Sequence, residues 1–254
     1  MQHFTRLPDY KKKIMKQAFV FIIGLFISLS VSAQKQVDDA NAEIRNVSGF
    51  HAIKVSNGIT VYLTQSNTEA VAVSANETEY RNRIRTVVEN GVLKIYFDNE
   101  DWKVWKNFGN KKLRAYVSVK NLDRIGISSG ASIKVEGVVK TNKLSIDASS
   151  GATLNGTIEA DDMSVDLSSG SVVTVSGAVS GKLKVDGSSG STFRGYDLKA
   201  ENCDADMSSG AGMQVTVIKE LSADASSGGY IHYKGSGLIR DVHTSSGGSV
   251  SRKS

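Results

Sequence analysis

Five aspartates form the most regular array of ionisable groups in the chain. Asp147, Asp166, Asp186, Asp206 and Asp224 each stand four residues before a glycine, in five successive copies of Ser-Ser-Gly. If those copies stack as strands, the carboxylates line up about 4.8 Å apart. Like charges that close repel by roughly 1 kcal/mol or more each near water, so something must compensate. Two arrangements would do so. Each carboxylate can accept N–H or O–H bonds from its own Ser-Ser corner, as in an Asx turn. Alternatively the row can hold calcium between coils, because calcium takes several oxygen ligands. The glycine-rich nonapeptide of calcium-loaded β-rolls is absent. Calcium is therefore the one cofactor these residues could serve, and otherwise none is expected.

A second constellation lies between Tyr96 and Tyr116. Both tryptophans, Trp102 and Trp105, fall there with Phe108 and the basic pair Lys111-Lys112. Aromatics on a polar loop stack on sugar faces or anchor an interface; the competing reading folds them over an end coil as a cap. Nothing comparable points to catalysis. Polysaccharide-active β-helices need carboxylates clustered in one groove with a base or cation, whereas these recur once per repeat. Asp161-Asp162 reads as a solvated loop pair. His51, His232 and His243 are far apart and have no metal-ligand spacing. His243 takes the aspartate position in the last repeat, with Asp241 nearby, and is read as the end of the row. No Gly-x-Ser-x-Gly elbow occurs. The expectation is a protein that is not an enzyme, with a polysaccharide-active enzyme or calcium-dependent lectin on the aspartate face as the alternative.

The elements that position these residues follow from the repeat. Ser-Ser-Gly ends at Gly130, Gly151, Gly170, Gly190, Gly210, Gly228 and Gly247, so successive copies are 18 to 21 residues apart. A period near twenty without helical patterning marks a solenoid. Five residues before each glycine stand Ile125, Ile146, Val165, Val185, Ala205, Ala223 and Val242; three after stand Ile133, Leu154, Val173, Phe193, Met213, Ile231 and Val250. Alternation around these positions gives two strands per coil, each with one buried face, joined by the Ser-Ser-Gly corner and closed by a polar loop. Glycine takes positive φ without steric cost, and serine satisfies bent backbone locally. Parallel crossovers are overwhelmingly right-handed, and no six-residue subrepeat is present. The fold class is thus all-β, a right-handed parallel β-helix over 127–254, with an irregular β-rich cap region over 49–126. Cys203 occupies the same buried ladder as Leu144, Met163 and Leu183.

Residues 15–33, MKQAFVFIIGLFISLSVSA, have a basic start, an apolar run and a Val-Ser-Ala end. That pattern is a cleavable secretory signal, too short in its apolar run to span a bilayer comfortably. Residues 1–33 are read as leader and signal, with Met1 or Met15 as the start, and 34–48 as a linker. Removing 1–33 takes away five of the 31 basic and one of the 26 acidic residues, which leaves a net charge of +1. A near-neutral mature chain does not argue for nucleic acid. With one cysteine, no internal disulfide can form. The expected location is the periplasm or the cell surface, with no membrane span after cleavage.

In the first half, Glu69 to Ala75, Val92 to Phe97 and Leu113 to Val119 read as strands, and Glu77 to Arg85 as a short helix or turn. Phe50-His-Ala-Ile-Lys-Val-Ser-Asn-Gly-Ile-Thr-Val-Tyr-Leu, then Val92-Leu-Lys-Ile-Tyr, then the repeated Ser-Gly-Ala and Ser-Gly-Ser corners resemble the head GIN domain family, also described as auto-transporter adhesins of Bacteroidetes-type envelopes. The resemblance covers about residues 49–250 and implies an exported β-helix that binds or adheres. After Gly247 only Gly-Ser-Val-Ser-Arg-Lys-Ser follows, so translocation through a barrel of its own is not expected. A regular Ser/Thr-rich face suits a polysaccharide or an envelope protein. Exposed coil ends suit stacking between copies, as in a structural or self-assembling protein.

Overall fold

Alternating strands need partners on both edges, and the chain finds them by coiling on itself. The computed structural model describes residues 39–99 and 111–253. The element order is β1 (Glu43–Arg45), β2 (Ala52–Val55), β3 (Thr60–Gln65), β4 (Ala70–Ser74), a one-turn helix α1 (Thr78–Arg83), β5 (Ile84–Glu89), β6 (Val92–Phe97), β7 (Arg114–Val119) and β8 (Arg124–Ile127). Five long bent strands follow, β9 (Ser132–Ala148), β10 (Thr153–Leu167), β11 (Val172–Gly187), β12 (Thr192–Met207) and β13 (Gly212–Ala225). β14 (Tyr230–Lys234), β15 (Leu238–Thr244) and β16 (Ser249–Arg252) complete the order.

From β9 to β13 every neighbour is parallel, which makes the expected parallel β-solenoid. The two anticipated ladders are both present. Leu93, Ile53, Ile125, Ile146, Val165, Val185, Ala205, Ala223 and Val242 stand in one column. Beyond the corner, Ala115, Val61, Ile133, Leu154, Val173, Phe193, Met213, Ile231 and Val250 form the other. Nearly all are fully buried, Phe193 being the largest. Cys203 is buried between Leu183 and Leu221, and burial pushes its thiol pKa far up.

The segment expected to be a polar loop is different. It stays in the sheet as a third side, with Ile158 between Val139 and Gly177, and Val179 between Ala160 and Ala200. Val139, Ile158, Ala160, Val179, Leu198, Ala200 and Val217 are buried there. Register shifts within this side, such as those between Asn155 and Thr157 and between Val179 and Lys182, absorb the varying coil length. Asp161 and Asp162 are held rather than loose, accepting from Ser180 Oγ and the Lys182 N–H of the next coil, each at 3.0 Å.

Each corner is a tight turn with two left-handed residues, not one. The second serine takes φ of 47–54° and the glycine 69–77°. The next residue donates its N–H to the first serine's carbonyl, as Ala131 does to Ser128 at 3.1 Å. Both positive φ values and this bond are those of a type I′ turn. The glycine N–H points to the following corner, Gly130 to Ser150 O at 2.9 Å and Gly151 to Ser169 O at 3.0 Å, so corners stack as a ladder of their own. Ser56-Asn57-Gly58 is a true member, with Asn57 at φ 61° and Gly58 N–H donating to Ser129 O.

In the first half, β6–β2–β8 and β7–β3 continue the two columns in parallel. Antiparallel strands then cover that end: β5 on β6 through the Asn90-Gly91 turn, β4 on β7, and β1 on β4. The short helix Thr78–Arg83 joins β4 to β5.

Candidate functional site

The aspartate row is present as an unbroken column on the sheet before the corner. Asp147 pairs with Asp166, Asp166 with Asp186, Asp186 with Asp206 and Asp206 with Asp224. Gly126 precedes the row and His243 follows it. The flanking residues at each step are buried, so the carboxylates point outward, and all but the half-buried Asp186 are exposed. Two residues further on, the first serine of each corner points to the same side. Together Ser128, Ser149, Ser168, Ser188 and Ser208 give a second, half-buried row of hydroxyls.

Between the two rows runs a groove of about 690 Å³, walled by the aspartates Asp147 to Asp206 on one side and the serines Ser128 to Ser208 on the other. Lys54 closes one end, where its stem lies over Gly126; a Cβ on that glycine would come within 3.5 Å of Lys54 Cγ. The serine row was not expected as a functional feature. Its signal in the sequence is the offset of two between aspartate and first serine, which places both on one face of a strand.

Carboxylate-to-corner bonding, one of the two expected compensations, is not what the fold uses. Among the described residues, Asp186 is the one row carboxylate with a hydrogen-bond partner, accepting from Lys184 Nζ at 2.6 Å. The corners satisfy themselves through backbone bonds. Asp166 accordingly has its pKa raised, first by partial burial and then by Asp186 and Asp147, with Lys184 offsetting part. Asp206 is raised by burial, Asp224 and Asp186 in the same way. The repulsion inferred from the spacing is thus left standing. Among the described residues, no three Asp, Glu, His or Cys side chains converge as a metal-ligand set; the carboxylates are strung in a line.

The aromatic constellation is only partly visible. Trp102, Trp105 and Phe108 lie outside the described residues. Tyr96 is exposed on β6, in the sheet that carries the aspartates. Tyr116 is on β7, beyond the corner; it stacks on Tyr62 with centroids 5.3 Å apart and donates to Asp39 Oδ2 at 2.9 Å. These two tyrosines are therefore not brought together, and Tyr116 ties β7 to the chain before β1. The histidines are dispersed too, His51 against Asp123 at 2.8 Å and His243 against Asp241 at 3.3 Å.

The class these features define is a parallel β-solenoid with stacked Ser-Ser-Gly corners and a linear acidic and hydroxylic groove. The chain belongs to the family described as "Putative auto-transporter adhesin, head GIN domain", whose model matches residues 49–237. It is similar in fold to a putative adhesin from Bacteroides fragilis, with a TM-score of 0.75 at 16% identity, covering 84% of this chain and 96% of that one. A protein from Parabacteroides distasonis described as a putative lipid binding protein gives 0.64 at 19% identity, covering 85% and 98%. A putative adhesin from the same organism gives 0.62 at 18%, covering 84% and 96%. No curated protein sequence matches. No helix of the described residues is long and apolar enough to cross a membrane.

Proposed function

We propose that this protein is a non-enzymatic binding or adhesion module of the cell envelope, exported by its N-terminal signal, and that it binds an extended polysaccharide along the aspartate–serine groove. The observation that carries this reading is the groove itself. Two parallel rows of hydrogen-bonding groups, one accepting and one both donating and accepting, repeat at the coil spacing of about 4.8 Å. Such a surface offers equivalent contacts to successive units of a polymer and does not concentrate acid, base and nucleophile at one point. Membership of an adhesin-described family and the similar solved adhesins support it.

A calcium-dependent lectin on the same row is the second reading. The raised pKa values of Asp166 and Asp206, due first to burial and then to the neighbouring carboxylates, favour it, because a cation would relieve the carboxylate part. A glycan array probed with the purified protein, with calcium and with chelator, tests both. Saturable signal in both conditions supports the first reading, and signal only with calcium supports the second. A blank array in both conditions overturns glycan binding.

A further inference from the structure

The last described coil ends the solenoid on parallel strands, whereas the other end finishes on the antiparallel edge strands β1 and β5. Among the described residues β15 pairs with β13 alone and β16 with β14 alone, so each leaves one edge open. At the other end, antiparallel β4 and β5 cover β7 and β6. The open coil also carries apolar surface: Leu238 is 73% exposed, Ile239 50% and Val242 39%. An open edge of this kind presents a row of N–H and C=O groups that pair with any strand of matching pattern.

The pattern on β15 matches itself. Its register on β13 slips between Ile239, opposite Leu221, and Asp241, opposite Ser222. Because of that slip Ile239 and Val242 both stand over inward residues, Leu221 and Ala223, while Asp241 stands outside and Arg240 reaches Glu220 at 2.9 Å. Residues 239–242 are therefore apolar, basic, acidic and apolar, with the apolar pair inward. Without the slip the alternation would place one of the two on the other side.

We propose that β15 is a homophilic edge, pairing antiparallel with β15 of a second copy about a two-fold axis that passes between Arg240 and Asp241. In this register Ile239 faces the partner's Val242 and Arg240 faces the partner's Asp241, each contact occurring twice by symmetry. Opposite charges and apolar pairs directly across an antiparallel ladder are the stabilising combinations. The pairing buries the apolar side chains of an open coil and leaves the groove accessible along the solenoid. It is independent of what the groove binds.

Sedimentation velocity over about 1–200 μM, the range in which one paired strand edge would dissociate, reads the association. The wild type should form dimers. Arg240→Asp and Asp241→Arg should each weaken self-association at least ten-fold, because each sets like charges face to face. An equimolar mixture of the two variants should recover a dimer, now a heterodimer with one charge pair reversed and the other as in the wild type. Unchanged circular dichroism of each variant shows that the coil is intact. A monomeric wild type, variants that dimerise as the wild type does, or a mixture that stays monomeric would each overturn the proposal.

Discussion

Replacing Asp166 with asparagine should make the protein more stable, which is unusual for a residue in the middle of a regular sheet. Asp166 makes no hydrogen bond among the described residues and has a carboxylate neighbour on each side, Asp147 and Asp186. At a spacing of about 4.8 Å, one like-charge neighbour costs about 0.9 kcal/mol in a fully aqueous dielectric. Physiological salt, with a Debye length of about 8 Å, roughly halves this for exposed groups. Two neighbours then give about 1 kcal/mol, or a rise of about 2–4 °C in Tm for a chain of this size. The gain should shrink in 1 M salt, where the Debye length falls to about 3 Å. It should also vanish at low pH. A carboxyl whose folded pKa is raised holds its proton more tightly in the folded state, so the destabilisation present at neutral pH is relieved as pH falls through the raised value toward the ordinary 3.8. Asp186→Asn is the control, because it also removes the Lys184 bond and should be close to neutral. Circular dichroism melts of the three proteins at two salt concentrations and across pH decide the matter. If Asp166→Asn melts lower than the wild type, or its gain ignores salt, the carboxylate is a structural acceptor and the reasoning fails.

Other outcomes follow from the same structure. Phe193→Ala should cost about 3–5 kcal/mol by chemical denaturation, because the ring is fully buried in its column. Gly170→Ala should cost only about 1–2 kcal/mol, since its φ is +69° but nothing stands within 4 Å of an added Cβ. Gly229→Ala should cost more, because its Cβ would come within 2.1 Å of the Met207 carbonyl oxygen in the ladder. Cys203 should be inert to a thiol reagent in the native protein and react at the rate of global unfolding, since it is buried and its pKa is pushed up.

The parts of the fold legible in the sequence were those that keep a fixed distance from the corner glycine. The two inward columns and the aspartate row have constant offsets, so Ile146, Leu154 and Asp147 announce their faces directly. The third side was hidden because its register shifts. Ile158 and Leu198 share one inward column and Val179 and Ala200 another, yet the members of each pair stand at different distances after their corner glycines, and so read as polar loop. The second left-handed residue was hidden for another reason. Serine at positive φ is an uncommon choice, tolerated at Ser129 and its equivalents because corner-to-corner hydrogen bonds hold the turn. The Asn90-Gly91 hairpin, by contrast, was visible in principle, since that dipeptide is the usual signal for a two-residue turn.

At the site, the same regularity revealed the carboxylates and concealed their partners. Spacing shows that five charges repel, but not that, among the described residues, Asp186 is the one row carboxylate hydrogen-bonded to a lysine. Ser128 and its equivalents were assigned to turn formation alone, yet the turn is held by backbone bonds and leaves their hydroxyls toward the groove.

The central claim, that an extended glycan lies between the aspartate and serine rows, is tested most directly by comparing wild type with Asp166→Ala/Asp206→Ala on one glycan array. Neither carboxylate has a hydrogen-bond partner among the described residues, so the variant should fold and melt at or above the wild-type temperature. A glycan held between the two rows requires saturable binding by the wild type and its loss in the variant. Binding that survives the double substitution would place the ligand away from the aspartate–serine groove.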